Sequence, residues 1–422
     1  MRALCAIVLA LLAASDAEAR SIATGPFYLS YESGVLEPTS DQAFEVVGDL
    51  MGSVPRLRVY ACALDATQTI ASARLELVER RLTSLLSGEA ELDVEAQCPE
   101  TVVGSAPASV AKTSVFLWIE LPTADDPRNF IYTGPGELAE NLDLLDRPNI
   151  EGAQVVYPWR MLEPEKDVYD FSAIEADLAL TDARGKQLFA QIQDRFFLPT
   201  ARHVPQYLLD DPEYGGGLAR QYDNPGEGEP TGQGWTSMHW NPAVRARFQV
   251  LLQALGDRFD GRLFGVNLPE SAFDPLAEDG DENGFTCDAY FDATLDNMRA
   301  ARAAFDTTHV VQYLNFWPCE WNNDHHYMER AFALAVEQGI GAGGPDIVPH
   351  RRAQMKNSYR FFNQHKDDLP LIAMAIQEPT LTYTNPETGE VFTRAEFVAF
   401  ARDYLGVDVI FWSVDAPWLA AK

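Results

Sequence analysis

Two observations predict an α/β chain whose larger part is a (β/α)8 TIM barrel. From Phe130 onward, eight apolar strand-like runs alternate with amphipathic helical stretches, the rhythm of a parallel sheet closed on itself. The fourth and seventh runs each end on a carboxylate, Glu270 and Glu378, at the strand ends where such barrels carry their chemistry. A small α/β unit over residues 20–122 is expected to precede a barrel spanning 130–422.

Taken in order, the chain opens with "MRALCAIVLALLAASDAEA", a basic start, a short apolar run and an A-x-A ending. This predicts a secretory signal peptide over residues 1–19 and a secreted or periplasmic mature protein. "RLRVYACAL", "ELDVEAQC" and "TSVFLWIEL" read as strands and "ATQTIASARLELVERRLTSLL" as an amphipathic helix. "PTADDPRN" reads as a linker. The barrel strands are then expected at "GAQVVYPW", "KQLFAQIQ", weakly at "GWTSMHW", and at "RLFGVNLP", "HVVQYLNFW", "GIGAGGPDIV", "LPLIAMAIQ" and "VDVIFWSV". Gly closes several intervening helices as a C-cap. The Gly- and Pro-rich segment after the second run is expected to be a long loop on the functional face. Too little chain follows the eighth run for a full eighth helix, a gap for "GELAENLDLLDR" or the N-terminal unit to cover.

Charge and cysteines narrow the function. With 32 Lys and Arg against 63 Asp and Glu the net charge is −31, which repels nucleic acid and anionic membranes, so neither is expected as a partner. Four cysteines remain after the leader, and chain proximity pairs Cys62 with Cys98 and Cys287 with Cys319 in an oxidising compartment. Their spacing does not suit zinc. "DGDENGFTCDAY" places Asp279, Asp281 and Asn283 as in a calcium loop, but Tyr290 occupies the position that needs a bidentate Glu, which favours an acidic surface loop. Asp324 in "NNDHH" is read as a helix cap. No cofactor or metal is expected.

Two carboxylates about 5 Å apart across a barrel mouth split a glycosidic bond with retention, one attacking and the other donating and then taking a proton. Glu after runs four and seven, Trp412 ending run eight, and "YPWRMLEPEKDVYDFSAIEADLALTDARGKQLFAQI" together resemble the clan of retaining TIM-barrel glycoside hydrolases that includes cellulases, β-mannanases and β-galactosidases. The resemblance spans Glu151 to Trp418 as a pattern of elements. It implies a cofactor-free enzyme acting on a carbohydrate, with Glu270 as acid/base and Glu378 as nucleophile. Pro269 stands where the clan usually has Asn, and Asn267 lies further back on the strand. Trp412, Trp159, Tyr313 and Trp317 are sugar platforms or ends of the core. Asp194 and Arg195 orient a carboxylate, bind a hydroxyl, or form a structural ion pair. His239 and Gln377 are further candidates for the pocket lining. The alternatives are a carbohydrate-binding barrel without catalysis and a metal-dependent hydrolase.

Overall fold

The computed structural model describes residues 22–29, 31–32, 35–36, 44, 47, 57–65, 69–85, 90–98, 114–121, 126–222, 233–274, 283–377, 380–386 and 388–420. The expected leader, Asp279, Asp281 and Glu378 lie outside them. Contacts divide the chain into two compact units with the boundary after Asp126.

The first unit holds a four-stranded sheet in the order Ile22–Leu29, Val115–Leu121, Leu57–Ala63, Ala90–Glu95. The last two strands are parallel, which requires a crossover, and helix Thr69–Leu85 supplies it. Ala71, Leu75, Val78 and Leu82 repeat at helical spacing and pack on Val59, Ala61, Ala63 and Leu117 of the sheet. The opposite face carries Tyr28, Tyr60 and Phe116 beside the Cys62–Cys98 disulfide.

The second unit is a closed barrel of eight parallel strands: Arg128–Thr133, Gly152–Pro158, Gln187–Gln193, Gly265–Leu268, His309–Tyr313, Gly341–Gly344, Ile372–Ile376 and Val409–Ser413. Three details differ from the sequence expectation. The first strand begins inside the segment read as a linker, because the charged "DDPR" hides the apolar residues that follow. "GWTSMHW" contributes no barrel strand: Gln233–Ser237 pairs antiparallel with Leu218–Tyr222. The long insertion therefore follows the third barrel strand, and the two displacements cancel before Gly265. "GELAENLDLLDR" follows the first strand instead of preceding it, forming the short helices Leu138–Glu140 and Leu142–Leu145. Beyond them Arg147 donates to the Leu419 carbonyl (2.7 Å), which ties this region to the short closing helix Pro417–Ala420.

Inside the barrel, the lower layer is aromatic: Phe130, Phe189 and Phe411 pack edge to face with ring centroids 5.0–6.0 Å apart. Glycines in register on the neighbouring strands make room for such large rings. A Cβ on Gly265 would run into the Phe189 ring, and one on Gly343 would stand 2.9 Å from the Tyr313 ring and collide with the Ala373 carbonyl. Strand six can read "GAGG" for this reason.

Candidate active site

Above the aromatic floor the interior turns polar. Gln154 of strand two donates through Nε2 to Asn267 Oδ1 of strand four (2.6 Å) and to the Tyr313 hydroxyl of strand five (2.8 Å). Gln191 of strand three lies in register with Asn267. The Asn267 Nδ2, Gln154 Oε1 and Gln191 Oε1 atoms are buried without a protein partner. Buried polar atoms are ordinarily hydrogen-bonded, so this layer offers donors and acceptors to something that enters from above.

Most of the strand residues are buried, whereas half-exposed side chains collect around the C-terminal ends: Tyr132, Gln193, Glu270, Asn315, Asp346 and Gln377, from strands one and three to seven. They define the barrel mouth. Glu270 follows strand four, and the turn that carries it is fixed to strand five and its exit. Ser271 N donates to the Tyr313 carbonyl (2.9 Å), Ser271 Oγ to the Phe316 carbonyl (2.7 Å), and Ala272 N to Asn315 Oδ1 (3.1 Å). Pro269 gives up its own N–H, yet its carbonyl is held by Gln312 Nε2, so the strand direction continues to Glu270. Asn315 Nδ2 donates to Glu270 Oε2 (2.8 Å). An amide side chain thus does reach this acid, from the neighbouring strand instead of from the preceding residue.

Burial pushes the Glu270 carboxyl above its ordinary range. The Arg195 charge and the Asn315 hydrogen bond pull it down, and the Asp346 and Asp194 charges push it up. Asp346, after strand six, is also raised by burial and lowered by the Thr380 hydroxyl, which donates to its Oδ1 (2.7 Å). Tyr313 feels both carboxyls as well as Tyr132. The mouth therefore carries two partly buried acids whose carboxyls burial pushes above their ordinary range. An acid in that condition donates a proton at a pH where a solvated carboxyl has already lost it.

Asp194 and Arg195 stand behind this pair and are closed to ligand, at 0% and 3% exposure. Arg195 donates to the Ala272 carbonyl (2.6 Å) and to the Tyr290 hydroxyl (3.2 Å), and Tyr290 in turn donates to the Ser271 carbonyl (3.1 Å). The two residues after Glu270 are thereby braced from strand three. Burial alone would raise Asp194, but the His239 ring, the Arg195 charge and the Ser237 hydroxyl together hold it well below the usual carboxylate range. Asn297 Nδ2 donates to His239 Nδ1 (3.1 Å), which leaves the proton on Nε2, facing Asp194.

The aromatic candidates fall in the core. Trp412 is 1% exposed, donates its indole N–H to Asn129 (2.8 Å) and packs on Phe397 and Trp418 outside the barrel. Trp159 is fully buried and donates to Glu163 (2.8 Å), an acid paired with Arg247. Trp317 is enclosed by Phe291, Tyr290 and Tyr327 in the region linked by the Cys287–Cys319 disulfide. None presents an open face, because each side chain points away from the mouth or lies beneath other rings. Tyr313 is buried too, but inside the barrel, where its hydroxyl accepts from Gln154. Asn283, from the expected calcium loop, spends its Oδ1 on Phe285 N (3.0 Å) and its carbonyl on Trp240 Nε1 (3.0 Å). Asn315 and Asp346 are the residues that sequence reasoning missed. A polar residue one or two positions past each strand end was the available signal.

No family model matches the chain, and no curated protein does. Among solved structures it is similar to the catalytic domain of a β-amylase from Paenibacillus polymyxa, at 8% identity and a TM-score of 0.47, over 68% of this chain and 92% of that one. It is also similar to xylanase 10B from Thermotoga petrophila, at 12% identity and a TM-score of 0.40, over 68% and 83%. A β-galactosidase from Bacillus circulans gives 9% identity and a TM-score of 0.44, over 68% and 50%.

Proposed function

We propose that the protein is a secreted or periplasmic glycoside hydrolase acting on a poly- or oligosaccharide, with Glu270 as general acid/base. The observation that carries this reading is the placement of Glu270: a partly exposed residue at the barrel mouth whose carboxyl is raised by burial, braced from strands three and five, and set over a polar layer with unpartnered amides. In this reading Glu270 protonates the glycosidic oxygen as the bond to the leaving sugar breaks. A second carboxylate, which we assign to Glu378, next in the chain after Gln377, attacks the anomeric carbon. Glu270 then takes a proton from the water that releases the sugar with retained configuration. Gln377, partly exposed at the mouth, supplies a hydrogen bond to a sugar hydroxyl, and the buried amides of Gln154, Gln191 and Asn267 lie beneath it. The two disulfides suit an oxidising compartment.

The test is hydrolysis of a polysaccharide panel and of 4-nitrophenyl glycosides by wild type, Glu270→Gln and Glu378→Gln, with the product anomer followed by proton NMR. Loss of turnover in both variants, with an initial product of retained configuration, supports the assignment. Wild-type turnover in Glu270→Gln removes it, and an inverted product removes Glu378 as nucleophile.

A further inference from the structure

Asn315, just beyond strand five, is held at both ends of its amide. Its Oδ1 accepts from Ala272 N (3.1 Å) and from Phe316 N (3.0 Å), while its Nδ2 donates to Glu270 Oε2 (2.8 Å). The two backbone N–H groups fix which end is oxygen, because a flipped amide would turn its own donors toward them. The two turns are laced further: Ser271 Oγ donates to the Phe316 carbonyl (2.7 Å) and accepts from Asn315 N (3.2 Å). The exits of strands four and five therefore form one unit, and that unit aims an N–H donor at one oxygen of the acid.

We propose that Asn315 is a positioning residue for Glu270, whose amide commits the Oε2 oxygen as an acceptor and leaves Oε1 as the oxygen that hands a proton to substrate. The carbonyl oxygen of a protonated carboxyl accepts more strongly than its hydroxyl oxygen, so a fixed donor at Oε2 places the hydrogen on Oε1. The catalytic meaning rests on the glycoside hydrolase reading; the positioning of the carboxyl does not. In that reading the Oε1 proton passes to the glycosidic oxygen as its bond to the anomeric carbon breaks, and the attacking water later returns a proton to Oε1. The other charged and titratable groups that face Glu270 are Arg195 and Asp194 from the end of strand three, Tyr290 from the helix after strand four, Tyr313 from strand five and Asp346 from the end of strand six. Among the described residues none of these is hydrogen-bonded to the Glu270 carboxyl, so its orientation falls to Asn315.

The hydrogen bond is read first, in the full chain labelled with 15N and 13C, by following the Asn315 side-chain N–H signals with pH in wild type and in Glu270→Gln. The N–H that faces Oε2 is expected to move downfield as Glu270 ionises, because a hydrogen bond to a carboxylate is stronger than one to a neutral acid, and to lose that response in Glu270→Gln. The same pH response in both proteins overturns the proposal. The catalytic half is read with Asn315→Asp, which keeps an oxygen for Ala272 N and Phe316 N but, once ionised, cannot donate to Glu270. Its kcat/KM at pH 7 is compared with wild type on a glycoside whose leaving group is a sugar and on a 2,4-dinitrophenyl glycoside, whose leaving group departs without a proton. A loss of roughly 10²-fold is expected on the first, the scale of a misplaced reacting group, with little change on the second. A merely structural role would lower both alike, so equal losses, or no loss on either, overturn the proposal. If Asn315→Asp does not fold, the amide titration still decides, since it needs only wild type and Glu270→Gln. The two readings separate: an Asn315 amide that follows Glu270 in a protein that cleaves no glycoside keeps the positioning and removes the hydrolase. Hydrolysis that depends on Glu270, with an amide blind to its ionisation, does the reverse.

Discussion

Asp194 and Glu270 follow hydrogen-bonded neighbouring strands of one barrel, and they live in opposite electrostatic conditions. Asp194 is fully enclosed and answered by Arg195, His239 and Ser237, so its charge is permanent. Among the described residues Glu270 has one hydrogen bond, from Asn315, and it feels the Arg195 charge against burial and the charges of two acids, so its charge is conditional. An acid whose partners are all satisfied holds structure; an acid left partly exposed and opposed by like charge is available for proton transfer. Arg195 connects the two, since it pairs with Asp194 and braces Ala272.

The comparison breaks most readily at Glu270. Glu270→Ala is expected to reduce kcat by roughly 10²–10⁴-fold, the range for losing a general acid/base, with the unfolding midpoint in urea close to wild type. Asp194→Asn should do the opposite. It leaves the Arg195 guanidinium buried beside a neutral amide, and breaking a buried ion pair in this way costs about 3–5 kcal/mol. Urea unfolding reads that loss. A small stability change in Asp194→Asn together with lost turnover would falsify the division between a structural and a reactive acid.

How much of this the sequence disclosed depends on what each residue's signal measures. The alternation of apolar runs and amphipathic helices was legible because it reflects burial, and burial is what the barrel needs from most of its strands. The first strand was not, since Asp125, Asp126 and Arg128 crowd its start and only Phe130 and Ile131 show. Glu270 was legible as a charge ending an apolar run. Asp346 was not: "GIGAGGPDIV" reads as one continuous strand, whereas pairing stops at Gly344, so the acid belongs to the exit. Trp412 misled for a related reason. Strand eight is buried on both faces, which removes the period-two alternation that distinguishes an inward residue from an outward one, and Phe411 points inward in its place.

Trp412 thereby gives a milder test of the same contrast. Trp412→Phe removes the indole N–H that Asn129 accepts, while Arg394 still donates to that oxygen (2.9 Å). The expected cost is about 1–3 kcal/mol of stability, seen by thermal unfolding, with KM unchanged on any glycoside that the proposed hydrolase cleaves. A KM that rises several-fold while stability holds would return Trp412 to the substrate.

The smallest effect concerns the price of keeping Glu270 reactive. Burial raises the Glu270 carboxyl in the folded chain above its unfolded value of about 4.3. Below the unfolded value both states hold the proton and the group contributes nothing. As pH rises past it, the unfolded chain releases the proton first, so folding is progressively disfavoured until the folded-state value is passed, after which the cost is constant. Glu270→Gln keeps an acceptor for Asn315 Nδ2 and carries no charge. Its melting temperature should therefore exceed that of wild type at pH 7, with the gain shrinking as pH falls through the folded-state value and vanishing below about 4.3. The corresponding series for Asp194→Asn has the other sign. Its deficit should be full at pH 7 and fade as pH falls through the depressed folded-state value, because there the wild-type carboxylate is finally neutralised. If both variants lost stability at neutral pH with the same pH profile, the two acids would be of one kind, and the distinction between them would have no thermodynamic basis.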